Sequence, residues 1–243
     1  MKHIFIINPT AGKYDSRQRI YEMADHLRTA HGLDVQCILT KKQGHATEIA
    51  RKLCQTGEPL RFYACGGDGT VNEVANGIIG YDNAAMTVIP VGTGNDWVRT
   101  FGISNRYQDA VKAIGEGYSF LQDVGVVSYE ESHYRQSRYM ANVAGAGFDA
   151  RMVRKLSHLK KKGRKSRWRS TWCLVKNFFR YKSTGVKVWV DDRLVYNNLL
   201  FSIAIGICKY NVGGMQQLPD AVADDGMLDV SLVRPVHFWH LLF

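Results

Sequence analysis

The stretch Arg61-Phe62-Tyr63-Ala64-Cys65-Gly66-Gly67-Asp68-Gly69-Thr70-Val71-Asn72-Glu73-Val74-Ala75-Asn76-Gly77-Ile78 decides how the chain is read. Arg61–Cys65 has the apolar and aromatic content of a buried strand. Val71, Val74, Ala75 and Ile78 recur at helical spacing. Between them stand three glycines, an aspartate and a threonine. A strand that ends in glycines and passes at once into a helix sets unhindered backbone N–H groups and a helix N-terminus at the carboxyl edge of a sheet, where phosphates bind. Asp68 in such a loop would repel phosphate unless a cation lay between them, which points to Mg²⁺ bridging to a nucleotide. The plainer alternative is a tight βα turn with a capping aspartate.

Outward from this stretch the same grammar repeats. His3–Ile7 reads as a first strand, followed by Asn8-Pro9-Thr10-Ala11-Gly12-Lys13 and a helix from about Ser16 to Ala30 with Ile20, Met23, Ala24 and Leu27 on one face. Asp34–Thr40 reads as a second strand and Ala46–Cys54 as its helix. Ala85–Pro90 is another strand, running into Val91-Gly92-Thr93-Gly94-Asn95-Asp96 and a short helix through Arg99 and Phe101. Alternating strands and helices of this kind predict an α/β domain around a parallel sheet. Three polar, glycine-containing βα loops at one sheet edge argue for a nucleotide site.

Beyond Asp123 the pattern turns to strands alone, at Val124–Ser128, Arg138–Val143, Val186–Val190, Leu199–Ile207 and Leu228–Val233, with Asp191-Asp192 as a hairpin-like turn. The expected organisation is an α/β nucleotide-binding domain over 1–123 and a β-rich second domain over 124–243.

Composition bounds the rest. The chain has 243 residues, 45% of them hydrophobic, and 27 aromatics, enough for real cores and too apolar for disorder. Five scattered cysteines without a CxxC pair read as reduced thiols in a cytoplasmic protein. No apolar run approaches the roughly 18 residues of a membrane span. Of the net +10, thirteen Lys and Arg fall between Arg151 and Lys182 with no Asp or Glu, which leaves the remainder at −3. The basicity is local and so is its expected anionic partner. Gly-x-x-x-x-Gly-Lys-Ser/Thr is absent, which excludes a P-loop enzyme. Gly145–Ala150 fits a dinucleotide fingerprint, but Lys and Arg follow where a ribose-binding acid should stand.

Asn8–Lys13, Gly66–Glu73, Pro90–Asp96 and Asp224-Asp225-Gly226-Met227-Leu228-Asp229 together resemble the signature set of the diacylglycerol kinase catalytic-domain family, in its bacterial soluble form, almost end to end. The glycine-rich core alone is shared with NAD kinases and 6-phosphofructokinases; the Val-Asn-Glu continuation and the order of the four motifs favour lipid kinases. The resemblance implies an ATP-binding domain over 1–123 and a β-rich, sandwich-like lipid-substrate domain over 124–243 that is C-terminally truncated, with ATP held by Asn8, Pro9, Thr10, Ala11, Gly12, Thr40, Gly66, Gly67, Asp68, Gly69, Thr70, Val71, Asn72, Glu73 and Thr93. It implies Asp68, Asp96 and Asp123 as the acidic network that organises catalytic Mg²⁺ through waters, and a second Mg²⁺ on Asp225 with the carbonyls of Val222 and Met227. An acidic turn capping a strand is the plainer account of Asp225. Members of the family carry a general base in an acidic Asp-Gly-Glu-type motif near a longer C-terminus. This chain ends at His240-Leu241-Leu242-Phe243 without it, so no base is named.

A kinase of this kind meets its lipid at a bilayer. The Arg151–Lys182 segment, with Trp168, Trp172, Phe178, Phe179 and Tyr181 interleaved, is expected to contact anionic membrane surface peripherally. The plainer account is a solvated helix face. Two other functions compete: an NAD kinase, and a catalytically silent nucleic-acid-binding or regulatory protein, disfavoured because its aspartates would repel a phosphate backbone. A homodimer stays open.

Overall fold

Strand β1, Lys2–Ile7, is apolar on both faces, and Ile4 through Ile7 are fully buried. Such a strand belongs at the centre of a sheet covered by helices on both sides. The computed structural model describes residues 1–12, 15–104, 109, 114, 119–161 and 176–235, and it places β1 there. After helix α1 (Arg17–His31) comes β2 (Asp34–Leu39), after α2 (His45–Cys54) β3 (Leu60–Gly66), and after α3 (Asp68–Ile78) β4 (Ala84–Pro90). The four strands are parallel, in the order β2-β1-β3-β4.

Alternation along the central strands sorts the helices. Ile4, Ile6, Phe62 and Ala64 pack with Ala46 and Ala50 of α2 and Val71 and Val74 of α3. Phe5, Ile7, Tyr63 and Cys65 turn to the opposite face and meet Ile20, Met23, Ala24 and Leu27 of α1. Because the first crossover runs from β1 to β2 and the second returns past β1 to β3, the loops after β1 and β3 diverge to opposite faces. The crevice between them lies at the switch point where α/β sheets bind ligands.

A short helix α4 (Asp96–Thr100) follows β4, and an antiparallel hairpin of β5 (Gly125–Glu131) and β6 (Tyr134–Met140) comes later. Next come β7 (Val143–Gly147), α5 (Phe148–Lys161), β8 (Thr184–Val190), β9 (Arg193–Leu200) and β10 (Ser202–Gly206). The chain then forms a small hairpin of β11 (Tyr210–Asn211) with β12 (Met215–Gln216), and ends its described structure in β13 (Asp229–Val233). The packing divides the chain along a different line from 1–123 and 124–243. One compact unit is Met1–Val143 with Gly206–Leu228; the other is Ala144–Ile205 with the segment from Asp229. Hydrogen bonds hold the added segments to the first unit. Gln122 Nε2 donates to the Ala141 carbonyl at 2.8 Å, and the Asp123 N–H donates to Ala223 at 2.8 Å.

The second unit is β-rich, as expected, with a three-stranded sheet in the order β13-β10-β7 and the β8-β9 hairpin. Asp191 and Asp192 turn that hairpin with φ of 46° and 62°, the left-handed pair that a two-residue hairpin needs. The single strand expected over Leu199–Ile207 is divided at Phe201, whose N–H donates to Val233 and whose carbonyl accepts from Phe148. Phe148, Met152, Phe178 and Phe201 form this unit's core. The basic segment starts on α5, and 176–180 is helical; 162–175, with Trp168, Trp172 and Cys173, lies outside the described residues, as do Lys13 and 236–243. Cys37, Cys54, Cys65 and Cys208 are free thiols. Among the described residues no helix is long and apolar enough to cross a membrane.

At the amino end of the sheet, buried His3 shares a 2.8 Å hydrogen bond with the Tyr63 hydroxyl. Burial, then the Arg61 charge, hold the imidazole below its ordinary range, and burial pushes the Tyr63 phenol up to about 12. A histidine whose folded pKa is depressed stabilises the fold above its unfolded pKa, and that contribution is lost as pH falls. Denaturant unfolding of the wild-type chain should therefore lose stability as pH drops below about 6.5, with no more than about 1.4 kcal/mol per pH unit from this one proton. His3→Gln should flatten that part of the slope.

Candidate active site

In the parallel register Ile7 stands level with both Leu39 and Cys65, and Gly66 with Pro90. Asn8, Thr40, Gly67 and Val91 therefore leave the sheet side by side at its carboxyl edge. Short backbone bonds hold them there. The Asn8 N–H donates to Cys65 at 3.0 Å, Thr40 to Ile7 at 2.9 Å, and Val91 and Gly92 both to Gly66 at 3.1 Å. Across the crevice Asn8 Nδ2 donates to Thr70 Oγ1 at 3.1 Å, while Asn8 Oδ1 accepts from the Thr10 N–H and hydroxyl at 3.0 and 2.9 Å. One asparagine thus shapes the Asn8–Gly12 loop and fixes it to the start of α3.

The α3 N-terminus has Gly67 as its N-cap and no side chain bonded across it. Its first amides are left to an external acceptor, and the helix dipole favours an anion there. Asp68 faces away from this end. Its Oδ1 accepts from the backbone N–H groups of Asp96 at 2.7 Å and Trp97 at 3.1 Å, so it caps α4, the helix of the neighbouring loop. Asp68 is thus a capping aspartate, of α4 and not of the turn in which it stands.

Asp96 is 4% exposed. Its Oδ2 accepts the Gly213 N–H at 2.8 Å; its Oδ1 is buried without a hydrogen bond. Burial pushes the Asp96 carboxyl above the ordinary carboxylate range. The Asp68 charge adds to the rise, while the Gly213 and Gly214 amides and Arg99 oppose it. A Cβ built on Gly94 would lie 2.8 Å from Asp68 Oδ2 and 3.4 Å from Asp96 Oδ2. Two carboxylates thus converge on a spot that glycine leaves open.

The remaining expected residues fall at varied distances from this centre. Gly69, Thr70, Val71 and Asn72 occupy the first turns of α3, and Thr93 the Gly92–Asp96 loop. Glu73 bonds elsewhere: its Oε2 accepts the Ala46 N–H at 3.3 Å and its carbonyl accepts the Thr47 hydroxyl at 2.7 Å, so it docks α2 on α3. Asp123 Oδ2 accepts the Gly226 N–H at 2.6 Å, and Asp225 Oδ1 the Met227 N–H at 3.0 Å, which makes 123 and 222–227 one bonded turn cluster. Among the described residues no group of three or more His, Cys, Asp or Glu side chains is placed to hold a metal directly. Sequence reading missed Gly213 and also Asn76, whose side-chain amide pairs with both backbone groups of Tyr139 at 2.9 and 3.0 Å. It also missed Gln122, which accepts from the Trp97 indole at 2.9 Å.

Known proteins match at both levels. The sequence profile of the diacylglycerol kinase catalytic domain matches residues 2–127, and that of the YegS C-terminal NAD kinase beta sandwich-like domain matches 142–242. A diacylglycerol kinase of Staphylococcus saprophyticus is 30% identical over 241 residues, covering 97% of this chain and 74% of its own. One from Bacillus subtilis is 29% identical over 237 residues, covering 94% and 72%. The crystal structure of a diacylglycerol kinase from Bacillus anthracis, 24% identical, shares the fold with a TM-score of 0.70 over 99% of this chain and 78% of that one.

The closest approach of the two glycine loops sets a test. A Cβ on Gly92 would stand 2.4 Å from Gly67 Cα and 3.0 Å from Gly67 N, backbone atoms that cannot swing aside. Gly92→Ala should cost about 1–3 kcal/mol in denaturant unfolding through this overpacking, whereas Gly69→Ala, which meets nothing within 4 Å, should cost far less.

Proposed function

The chain belongs to the diacylglycerol kinase catalytic-domain family, and from that premise we propose that this lipid kinase carries the terminal phosphate of ATP, with Mg²⁺, to the free hydroxyl of a diacylglycerol-type lipid. The observation that carries the reading is the convergence of Asp68 and Asp96 beside the open N-terminus of α3. The residues present suit both groups. Glycine backbone and uncapped amides suit phosphates. The open spot at Gly94, between two carboxylates of which one has an unbonded buried oxygen, suits a hydrated divalent cation.

In this reading the Asn8–Gly12 loop and the amides at Gly67–Gly69 receive the phosphates, Thr40 flanks them, and Thr93 closes the far side. Mg²⁺ bound with the nucleotide would offset the charge of the phosphate oxygens. Asp68 has one oxygen fixed by two α4 amides, which holds the other toward Gly94 without further ordering when the cation arrives. The Gly213 N–H holds Asp96 by Oδ2, the oxygen that itself lies nearest Gly94. Phosphoryl transfer then rests on positioning and charge. Asp123 supports the outer edge through the Gly226 turn. At Asp225 the carboxylate is engaged with the Met227 N–H and Val222 and Met227 are exposed, so the second Mg²⁺ finds less support here and takes no part in the mechanism.

For the lipid to reach this site the protein must meet a membrane surface, and the thirteen cations of Arg151–Lys182 supply the attraction. Arg151 and Lys155 stand on the described part of α5, Arg151 over the Tyr181 ring and Lys155 bonded to Asn177.

Incubation with γ-labelled ATP, Mg²⁺ and diacylglycerol micelles should put label in the organic phase, and Asp68→Ala should reduce it about 100-fold or more. Label in NAD from a parallel tube, or none in lipid, would contradict the reading. Charge reversal of Lys160, Lys161 and Lys162 should lower co-sedimentation with anionic vesicles in a salt-dependent way. An unchanged pellet fraction would remove the membrane contact from the account.

A further inference from the structure

We infer that Arg99 reads the terminal phosphate of the bound nucleoside triphosphate, and so distinguishes ATP from ADP. The inference rests on the nucleotide reading above but concerns a residue that reading does not use. Arg99 lies on α4, in the turn whose first amides are held by Asp68. Its Nε donates to the Gly94 carbonyl at 3.3 Å and lies 4.0 Å from Asp96 Oδ1, the buried oxygen with no hydrogen bond. The backbone of Gly214, at φ +101°, lies against the guanidinium so closely that a Cβ there would stand 3.2 Å from Arg99 Cζ. The head group is thus held from two sides, next to the Asp96 carboxylate whose other oxygen faces the spot at Gly94.

What is held is only one edge of it. Among the described residues the two Nη groups donate to nothing, and the side chain is 50% exposed. A structural counter-ion for Asp96 would turn its paired donors to the carboxylate. This one offers Nε alone, at ion-pair distance, and leaves both Nη groups without an acceptor among the described residues. Their planar edge matches the spacing of phosphate oxygens.

The chemistry of the site calls for such a group. The glycine loops and the α3 N-terminus bind phosphate without counting how many follow, and two carboxylates would repel the last one. A fixed cation beside them offsets that repulsion only for a nucleotide long enough to reach it, which a diphosphate is not.

Calorimetric titration of the full chain with ATP and with ADP, each with Mg²⁺ and without lipid, tests this apart from turnover. A charge-assisted bond to phosphate is worth enough that Arg99→Gln should weaken ATP about tenfold or more while leaving ADP within about twofold. Arg99→Lys, which keeps the charge without the planar edge, should fall between. An unchanged ATP to ADP ratio would overturn the inference. Equal losses for both nucleotides would too, since they would make Arg99 a support for Asp96 and the 212–214 loop. A wild-type chain that binds neither nucleotide would remove the inference and the nucleotide reading together. One that binds both with the expected preference but labels no lipid would sink the lipid acceptor and leave Arg99's assignment standing.

Discussion

One carboxylate oxygen, Asp68 Oδ1, joins two loops that the sheet only brings near each other. It starts on the third strand's loop and accepts both leading amides of α4 on the fourth strand's loop. Remove it and α4 has two unsatisfied amides, the Gly92–Asp96 loop keeps only its start tied to Gly66 through Val91 and Gly92, and Asp96 and Arg99 lose the cap of the helix that aims them. Charge-assisted bonds to backbone amides are among the stronger contacts a fold can make, about 1.5–3 kcal/mol each. The site's geometry thus hangs on an interaction that is also its most exposed to loss by mutation.

The sheet beneath supplies the rigidity. β1 and β3 are buried on both faces and carry cores of opposite orientation, so their ends cannot shift without disturbing α1 on one side and α2 and α3 on the other. Close-packed cores of this kind resist small displacements. The loops need only follow from fixed ends, and Asn8, bridging to Thr70 across the crevice, limits how far they part. Glu73 extends the same logic outward: its carboxylate bonds the α2 N-terminus and so ties α2 to α3 behind the Gly67–Gly69 turn.

Local features were legible in the sequence because their cause is local. The β-branched and aromatic runs His3–Ile7 and Arg61–Cys65 placed the strands, and helical spacing placed Ile20, Met23, Ala24 and Leu27 on one buried face. The glycines of the two loops were legible as a phosphate-binding signature; their close approach, with Gly92 where a Cβ would stand 2.4 Å from Gly67, was not. What stayed hidden depends on partners far along the chain. Nothing near Asp68 announces that its bonds go to residues 28 and 29 positions later, that Asn76 pairs with Tyr139, or that Gly213 supplies the amide for Asp96. The break at Phe201 was equally hidden, because its backbone partners Val233 and Phe148 come from other elements. The join near Asp123 marks a true change of pattern, yet packing carries 124–143 and 206–228 with the first unit. Sequence pattern reports local conformation; unit membership is a matter of tertiary contacts.

The most direct measurement of the central role given to Asp68 is residue-resolved amide hydrogen exchange of the Asp96 and Trp97 N–H groups in the wild-type chain and in Asp68→Ala. The account predicts slow exchange at both amides in the wild type and fast exchange in the variant, with Ile6 and Ala64 in the sheet unchanged. Equal protection of Asp96 and Trp97 in the two proteins would show that α4 is held by something else, and the coupling between the two loops would not be Asp68's.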